Sequence, residues 1–119
     1  MPSGYSIVRS LQCDEDLELI FDHLLDAYQD LGDTLDVALD RAATRLFGIE
    51  DDLESLGEVP FQGTLEPRIM EGLRHVTKSR AVFYFTIDET NETLRVLGVF
   101  FGGQDHIRHI LARIASDQL

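Results

Sequence analysis

The hydrophobic pattern of this chain changes beyond its middle, from two helical stripes to strand-like apolar runs, and that switch confines the fold more tightly than any other feature. Leu17, Ile20, Phe21, Leu24, Leu25, Tyr28 and Leu31 fall at steps of three, one, three, one, three and three, the signature of one helical face. A second stripe of the same period follows: Leu35, Ala38, Leu39, Ala42, Leu46, Ile49 and Leu53. Beyond residue 72 the helical period gives way to segments rich in Val, Ile, Phe, Tyr and Thr that read as strands: Leu73–Thr77, Arg80–Asp88 and Thr93–Phe101. Helices segregated before strands define an α+β protein rather than an alternating α/β one.

Local signals fill in the connections. Asp14, Glu15 and Asp16 stand where the first helix should start, favourable for capping and for the positive end of the helix dipole, and Gly32 supplies the stop. Asp33 is the expected cap of the second helix. Gly48 weakens that helix by about 1 kcal/mol without ending it. The short link predicts an antiparallel hairpin. Tyr5–Arg9 reads as a short N-terminal strand, and Lys78-Ser79 and Glu89–Glu92 read as the turns of a β-meander. Residues 57–72 form the longest stretch without clear period, punctuated by Pro60, Gly63, Pro67 and Gly72.

In Ala81–Ile87 and Leu94–Phe101 both alternating sets are largely apolar, so the sheet needs cover on both faces. The hairpin can cover one. The other is left to the C-terminal segment, a partner, or both. That segment follows a break at Gly102-Gly103, and Asp105 can cap a last helix with Ile107, Ile110, Leu111 and Ile114 as its buried stripe. On this phasing His106, His109 and Arg113, with Arg108 on a flank, project outward as a candidate contact surface.

The 119 residues suit one domain, 1–119, and 44% hydrophobic content is ordinary for a globular chain. No apolar run approaches a membrane span, and the N-terminus lacks a secretory pattern. With Cys13 the single cysteine, a reducing cytoplasm is the expected home, and four scattered histidines do not suggest structural zinc. Neither metal nor cofactor is expected. The net charge of −12 is uneven: residues 12–66 hold 16 acids against Arg41 and Arg45, while residues 67–119 hold 6 acids against 7 bases. From Asp14 to Asp40 there are ten acids and no lysine or arginine. This balance disfavours broad attraction to nucleic acid or anionic membrane. The acidic run is either a solvated helical face, an acidic docking surface, or a mimic of DNA phosphates.

Two segments carry a family resemblance. Gly72-Leu73-Arg74-His75-Val76-Thr77-Lys78-Ser79-Arg80-Ala81-Val82-Phe83-Tyr84-Phe85 resembles the G-L-R entry to the meander of the ParE/RelE superfamily of bacterial toxins. Arg95-Val96-Leu97-Gly98-Val99-Phe100-Phe101-Gly102-Gly103-Gln104-Asp105-His106-Ile107-Arg108-His109-Ile110-Leu111 is similar to the ParE-type last strand and its short polar terminus. The order of elements matches along nearly the whole chain. The resemblance implies a RelE/ParE-like fold: an N-terminal strand, then an antiparallel two-helix hairpin packed on a mainly antiparallel meander sheet, then a short C-terminal helix. It also implies the toxin of a type II toxin–antitoxin module, of the kind that serves plasmid stabilization, neutralised by a ParD-like antitoxin.

ParE-like members imply poisoning of DNA gyrase without a catalytic group; RelE-like members imply ribosome-dependent cutting of mRNA. The second chemistry needs a base, an acid and cations around the phosphorane, for which Arg74, His75, Lys78, Arg80, His106 and His109 are the available types. Against it stand the charge of −12, a single lysine (Lys78) and no tyrosine after Tyr84. ParE-like action fits better, with Asp105, Arg108, His109 and Arg113 as the expected target surface. For the antitoxin the expected contacts are Asp26, Asp30 and Asp33, opposite basic residues of its tail, with Tyr84 and Phe100 on the apolar strands. An acidic DNA mimic and an inactive antitoxin-binding scaffold are the readings from other classes.

Overall fold

In a computed structural model, which describes residues 4–102 and 105–117, the elements run β1 (Ser6–Arg9), α1 (Leu11–Asp30), α2 (Leu35–Ser55), β2 (Thr64–Leu65), β3 (Arg74–Lys78), β4 (Ala81–Asp88), β5 (Thr93–Phe101) and α3 (His106–Asp117). Gly103, half of the break expected before the last helix, and Gln104 lie outside the described residues. The five strands form one sheet in the order β1-β5-β4-β3-β2. β1 pairs parallel to β5, and the other neighbours are antiparallel.

Neither cap is an expected acid: the cap of α1 lies four residues before Asp14, and the cap of α2 is the neighbour of Asp33. Ser10 caps α1, its Oγ accepting from the Cys13 amide at 3.0 Å, and Thr34 caps α2. A hydroxyl followed three residues later by a free amide satisfies one of the orphan donors of the first turn. Asp33 instead meets Arg41 at 2.6 Å. Gly32 stops α1 with φ of +105°, and Gly48 lies inside α2 without ending it.

The aperiodic stretch holds two elements that pattern alone does not reveal: a 3-10 turn at Leu56–Glu58 and the two-residue β2. β2 pairs with Arg74 and His75, so it covers only two of the five residues of β3. The β3–β4 turn is Ser79-Arg80, not Lys78-Ser79. Both residues have positive φ, 50° and 70°, the backbone of a two-residue hairpin whose twist matches its strands.

The sheet is apolar on both faces and covered on both, as the strand composition requires. On one side α1 and α2 close over Phe83, Phe85, Leu94, Val96 and Val99, with Leu17, Ile20, Leu24, Ile49 and Leu53 as their contribution. On the other, α3 lays Ile110 over Leu73, Val82, Tyr84 and Phe100. A β-bulge lets β5 serve both faces. Tyr84 pairs with Gly98 and Phe85 with Val96, leaving Leu97 as the extra residue. Before it, Leu94 and Val96 face the hairpin; after it, Val99 and Phe101 do. The parity flips by one, and so Leu97 and Phe100 face α3.

Candidate functional site

The last helix and the sheet face beneath it gather most of the chemistry-bearing side chains. α3 is turned relative to the expected phasing. Ile110 is fully buried and Ile114 partly so, but Ile107 and Leu111 are 51% and 46% exposed. His106 and Arg113 turn toward the sheet instead, while His109 stays exposed, as expected, and rests one ring face on it. Nδ1 of His106 and the Tyr84 hydroxyl share a hydrogen bond of 2.8 Å. The His109 ring stacks on Phe100, with centroids 5.6 Å apart and planes at 16°. Arg113 forms a two-pronged ion pair with Asp16 of α1, donating to its carboxylate oxygens at 2.8 and 2.9 Å.

Arg113 is therefore not on the outward surface where sequence phasing put it. Three features of the fold turn it inward. Asp16 is buried and needs a partner, and its Oδ2 also accepts from the Val99 amide at 3.0 Å. The bulge frees the Leu97 carbonyl, which accepts from Arg113 Nη1 at 3.0 Å. Gly98 leaves room: a Cβ there would lie 2.8 Å from Arg113 Nη1 and 3.0 Å from the Phe100 ring. The pair lines a pocket of about 190 Å³ between α1, β5 and α3, together with Leu19, His23, Phe100 and His109.

Tyr84 and Phe100 are buried beneath α3, so neither is open surface while the helix is seated. Burial raises the Tyr84 phenol pKa, and the Glu66 carboxylate adds to the rise. His75 completes a cluster, its ring centroid 5.5 Å from Tyr84 and 6.3 Å from His106. Glu66 Oε1 lies 3.1 Å from His75 Nδ1, close enough for an ion pair but misaligned for a hydrogen bond, leaving that buried nitrogen without one. Glu66 entered the cluster unforeseen, because only the unpredicted strand β2 brings it beside β3.

The remaining cationic candidates are dispersed. Arg74 donates to the Phe61 carbonyl at 2.9 Å and covers its ring. Lys78 ends β3 four residues away, roughly 13 Å along the strand, and Arg80 sits in the hairpin turn beyond it. Asp105 and Arg108 are exposed at the start of α3 and pair loosely at 3.5 Å. Asp26 and Asp30 lie on the exposed side of α1, while Asp33 is engaged by Arg41. Among the described residues no group of three or more His, Cys, Asp or Glu side chains could hold a metal ion. No helix there is long and apolar enough to cross a membrane.

This architecture, an acidic hairpin on one face of a mixed five-stranded sheet and a short helix on the other, is a RelE/ParE-like fold. The chain is similar to a structure of a chromosomal ParDE toxin–antitoxin system from P. aeruginosa, at 18% identity and a TM-score of 0.63, over 82% of this chain and 95% of that one. It is likewise similar to a structure of the toxin–antitoxin complex RelBE2 from Mycobacterium tuberculosis, at 12% identity and a TM-score of 0.56, over 83% and 99%. No family model and no curated protein matches the chain.

Proposed function

We propose that this chain is the toxin of a type II toxin–antitoxin pair, held by a ParD-like antitoxin and acting in the cytoplasm by binding a protein target, DNA gyrase. The fold supports the toxin reading, since its structural neighbours are toxin–antitoxin complexes. The observation that carries the choice of a protein target is the outer face of α3. A helix whose Ile110 is buried beneath it still presents Ile107 and Leu111 to solvent, beside exposed Arg108 and Asp105. Apolar side chains i and i+4 on an exposed helical face, flanked by charge, are the elements of a protein contact. The target surface is thus Asp105, Ile107, Arg108 and Leu111, with His109 at its margin. Arg113 supports it from beneath.

A second reading has one specific observation in its favour. His75, Tyr84 and His106 converge, with Glu66 beside them, and histidines near a phenol are general acid–base groups for RNA cleavage. Tyr84 is closed to a substrate while α3 is seated. Arg74, Lys78 and Arg80 are too spread to cradle one phosphate, and a net charge of −12 opposes approach to the ribosome. Induced expression of the chain alone in a bacterial host separates the readings. The proposal expects growth arrest with mRNA left intact. Arrest with cut messages would transfer the function to the histidine cluster, and unimpaired growth would leave an inert scaffold.

A further inference from the structure

A cavity lies where β1 stops short of the end of β5. β1 pairs with Thr93–Val96, and the last bond between the two segments runs from the Ser10 amide to the Val96 carbonyl at 3.2 Å. From Leu97 onward no strand among the described residues flanks that edge of β5. Side chains from the two helical layers take over there: Asp16 of α1 accepts from the Val99 amide, and Arg113 of α3 donates to the Leu97 carbonyl. The pocket of about 190 Å³ opens beside this edge, and Asp16, Arg113 and Val99 are part of its wall. A strand residue points its amide and its carbonyl to the same side, so the Val99 carbonyl faces that edge as well. An ionised carboxylate accepts only, so Asp16 serves the amide and not the carbonyl.

The rest of the lining selects a ligand by size, shape and charge. A dry apolar cavity of about 150 Å³ accepts benzene, so this one takes a single ring with a small substituent and not two rings. Leu19, Ile20, Phe100 and Phe101 supply apolar walls, and the two phenyl rings favour an aromatic face over a saturated one. Charge is disfavoured in either sign. A carboxylate would compete with Asp16 for Arg113, and an ammonium would compete with Arg113 for Asp16; each would strip the buried partner of its counter-charge. The Val99 carbonyl calls for a donor. His23 of α1 and His109 of α3, both exposed, flank the mouth with imidazoles that can accept or donate.

We infer that this pocket binds a neutral, single-ring aromatic molecule carrying one O–H or N–H donor, with its ring against Phe100 and Phe101 and its donor on the Val99 carbonyl. The site does not depend on the toxin reading. Amide-resolved NMR titration of the intact protein tests it with 4-methylphenol and four matched probes: toluene, 4-methylcyclohexanol, 4-methylbenzoate and 4-methylbenzylammonium. 4-Methylphenol should shift amides of 16–23, 98–101 and 109–113 saturably, with a Kd of about 1 mM, the affinity that about eight non-hydrogen atoms supply. Toluene, which lacks the donor, and 4-methylcyclohexanol, which lacks the aromatic face, should each bind at least about fivefold more weakly. The two charged probes should give no saturable shift at these amides. Leu19→Trp and His23→Trp, exposed changes at the mouth that leave the core untouched, should each weaken 4-methylphenol by about tenfold or more. No saturable shift, shifts centred on other amides, any matched probe binding as well as 4-methylphenol, or unchanged affinity in either variant would each overturn the inference.

Discussion

The two helical layers rest on opposite faces of one sheet, and they are held there by different physics. The α1–α2 layer presents a broad apolar surface, with Leu17, Ile20, Leu24, Ile49 and Leu53 buried against Phe83, Phe85 and Val96. Area removed from water is its main bond, at about 25 cal/mol per Å². α3 brings one fully buried aliphatic side chain, Ile110, and adds directed polar contacts: His106 to Tyr84, His109 on Phe100, Arg113 to Asp16 and to the Leu97 carbonyl. The contrast teaches that an apolar layer tolerates imprecision, whereas a polar one depends on a few groups being in place. It also leaves α3 free to keep Ile107 and Leu111 outside.

Several substitutions would break or sharpen this contrast. Leu53→Ala should cost about 3 kcal/mol and lower the urea midpoint of both layers together, because a cavity in the main core weakens the whole sheet. Ile110→Ala should instead strip amide protection from α3 while the hairpin keeps its own; equal loss in both layers would erase the distinction. Arg113→Met should cost about 2–3 kcal/mol by stranding the buried Asp16 carboxylate, with amide exchange rising first in α3.

Alkaline titration reaches each layer through a different group. Burial pushes the Cys13 thiol on the hairpin side up to about 12 and raises the Tyr84 phenol on the α3 side. Both folded-state values lie above their unfolded ones. The protonated forms therefore contribute stability in full below the unfolded values, about pH 8.5 for Cys13 and about pH 10 for Tyr84, and it is lost as pH rises above them, for Cys13 up to about 12, by at most about 1.4 kcal/mol per pH unit for each group. Cys13→Ala should flatten the onset near pH 8.5–9 in a pH series of urea melts. Tyr84→Phe should remove the later part of the loss and cost about 1 kcal/mol at neutral pH, read as faster exchange in α3. The smallest effect expected is a gain: Ser79→Asn with Arg80→Gly relieves two left-handed residues and should raise the thermal midpoint by the equivalent of about 0.5–1 kcal/mol.

The two layers also differ in how legible they were in the sequence. The α1 and α2 stripes follow a 3.6 period because apolar burial alone positions them, and the two-sided sheet is legible in strands apolar on both alternating sets. The same rule misphases α3, because the groups that set its rotation are polar. A trace existed: Asp16 sits three residues from Cys13 and four from Ile20, an acid inside the buried arc of α1 that demands a cation. The bulge that frees the Leu97 carbonyl was masked, because both alternating sets of β5 are largely apolar. β2 had no such trace. Two residues carry no period, and only pairing to Arg74 and His75 defines it. Of the histidine cluster, His75 and His106 were named from their chemistry, but Glu66 depended on that hidden strand.

The central claim, that α3 displays a surface for a protein target, is met most directly by purified gyrase with supercoiled plasmid, ATP and increasing amounts of the chain. The account predicts protein-linked linear DNA that accumulates with dose, and its loss when Arg108→Glu is combined with Leu111→Ser, two exposed changes on α3. Well-folded protein that yields no cleavage complex, or an outer-face variant as active as the parent, would contradict it.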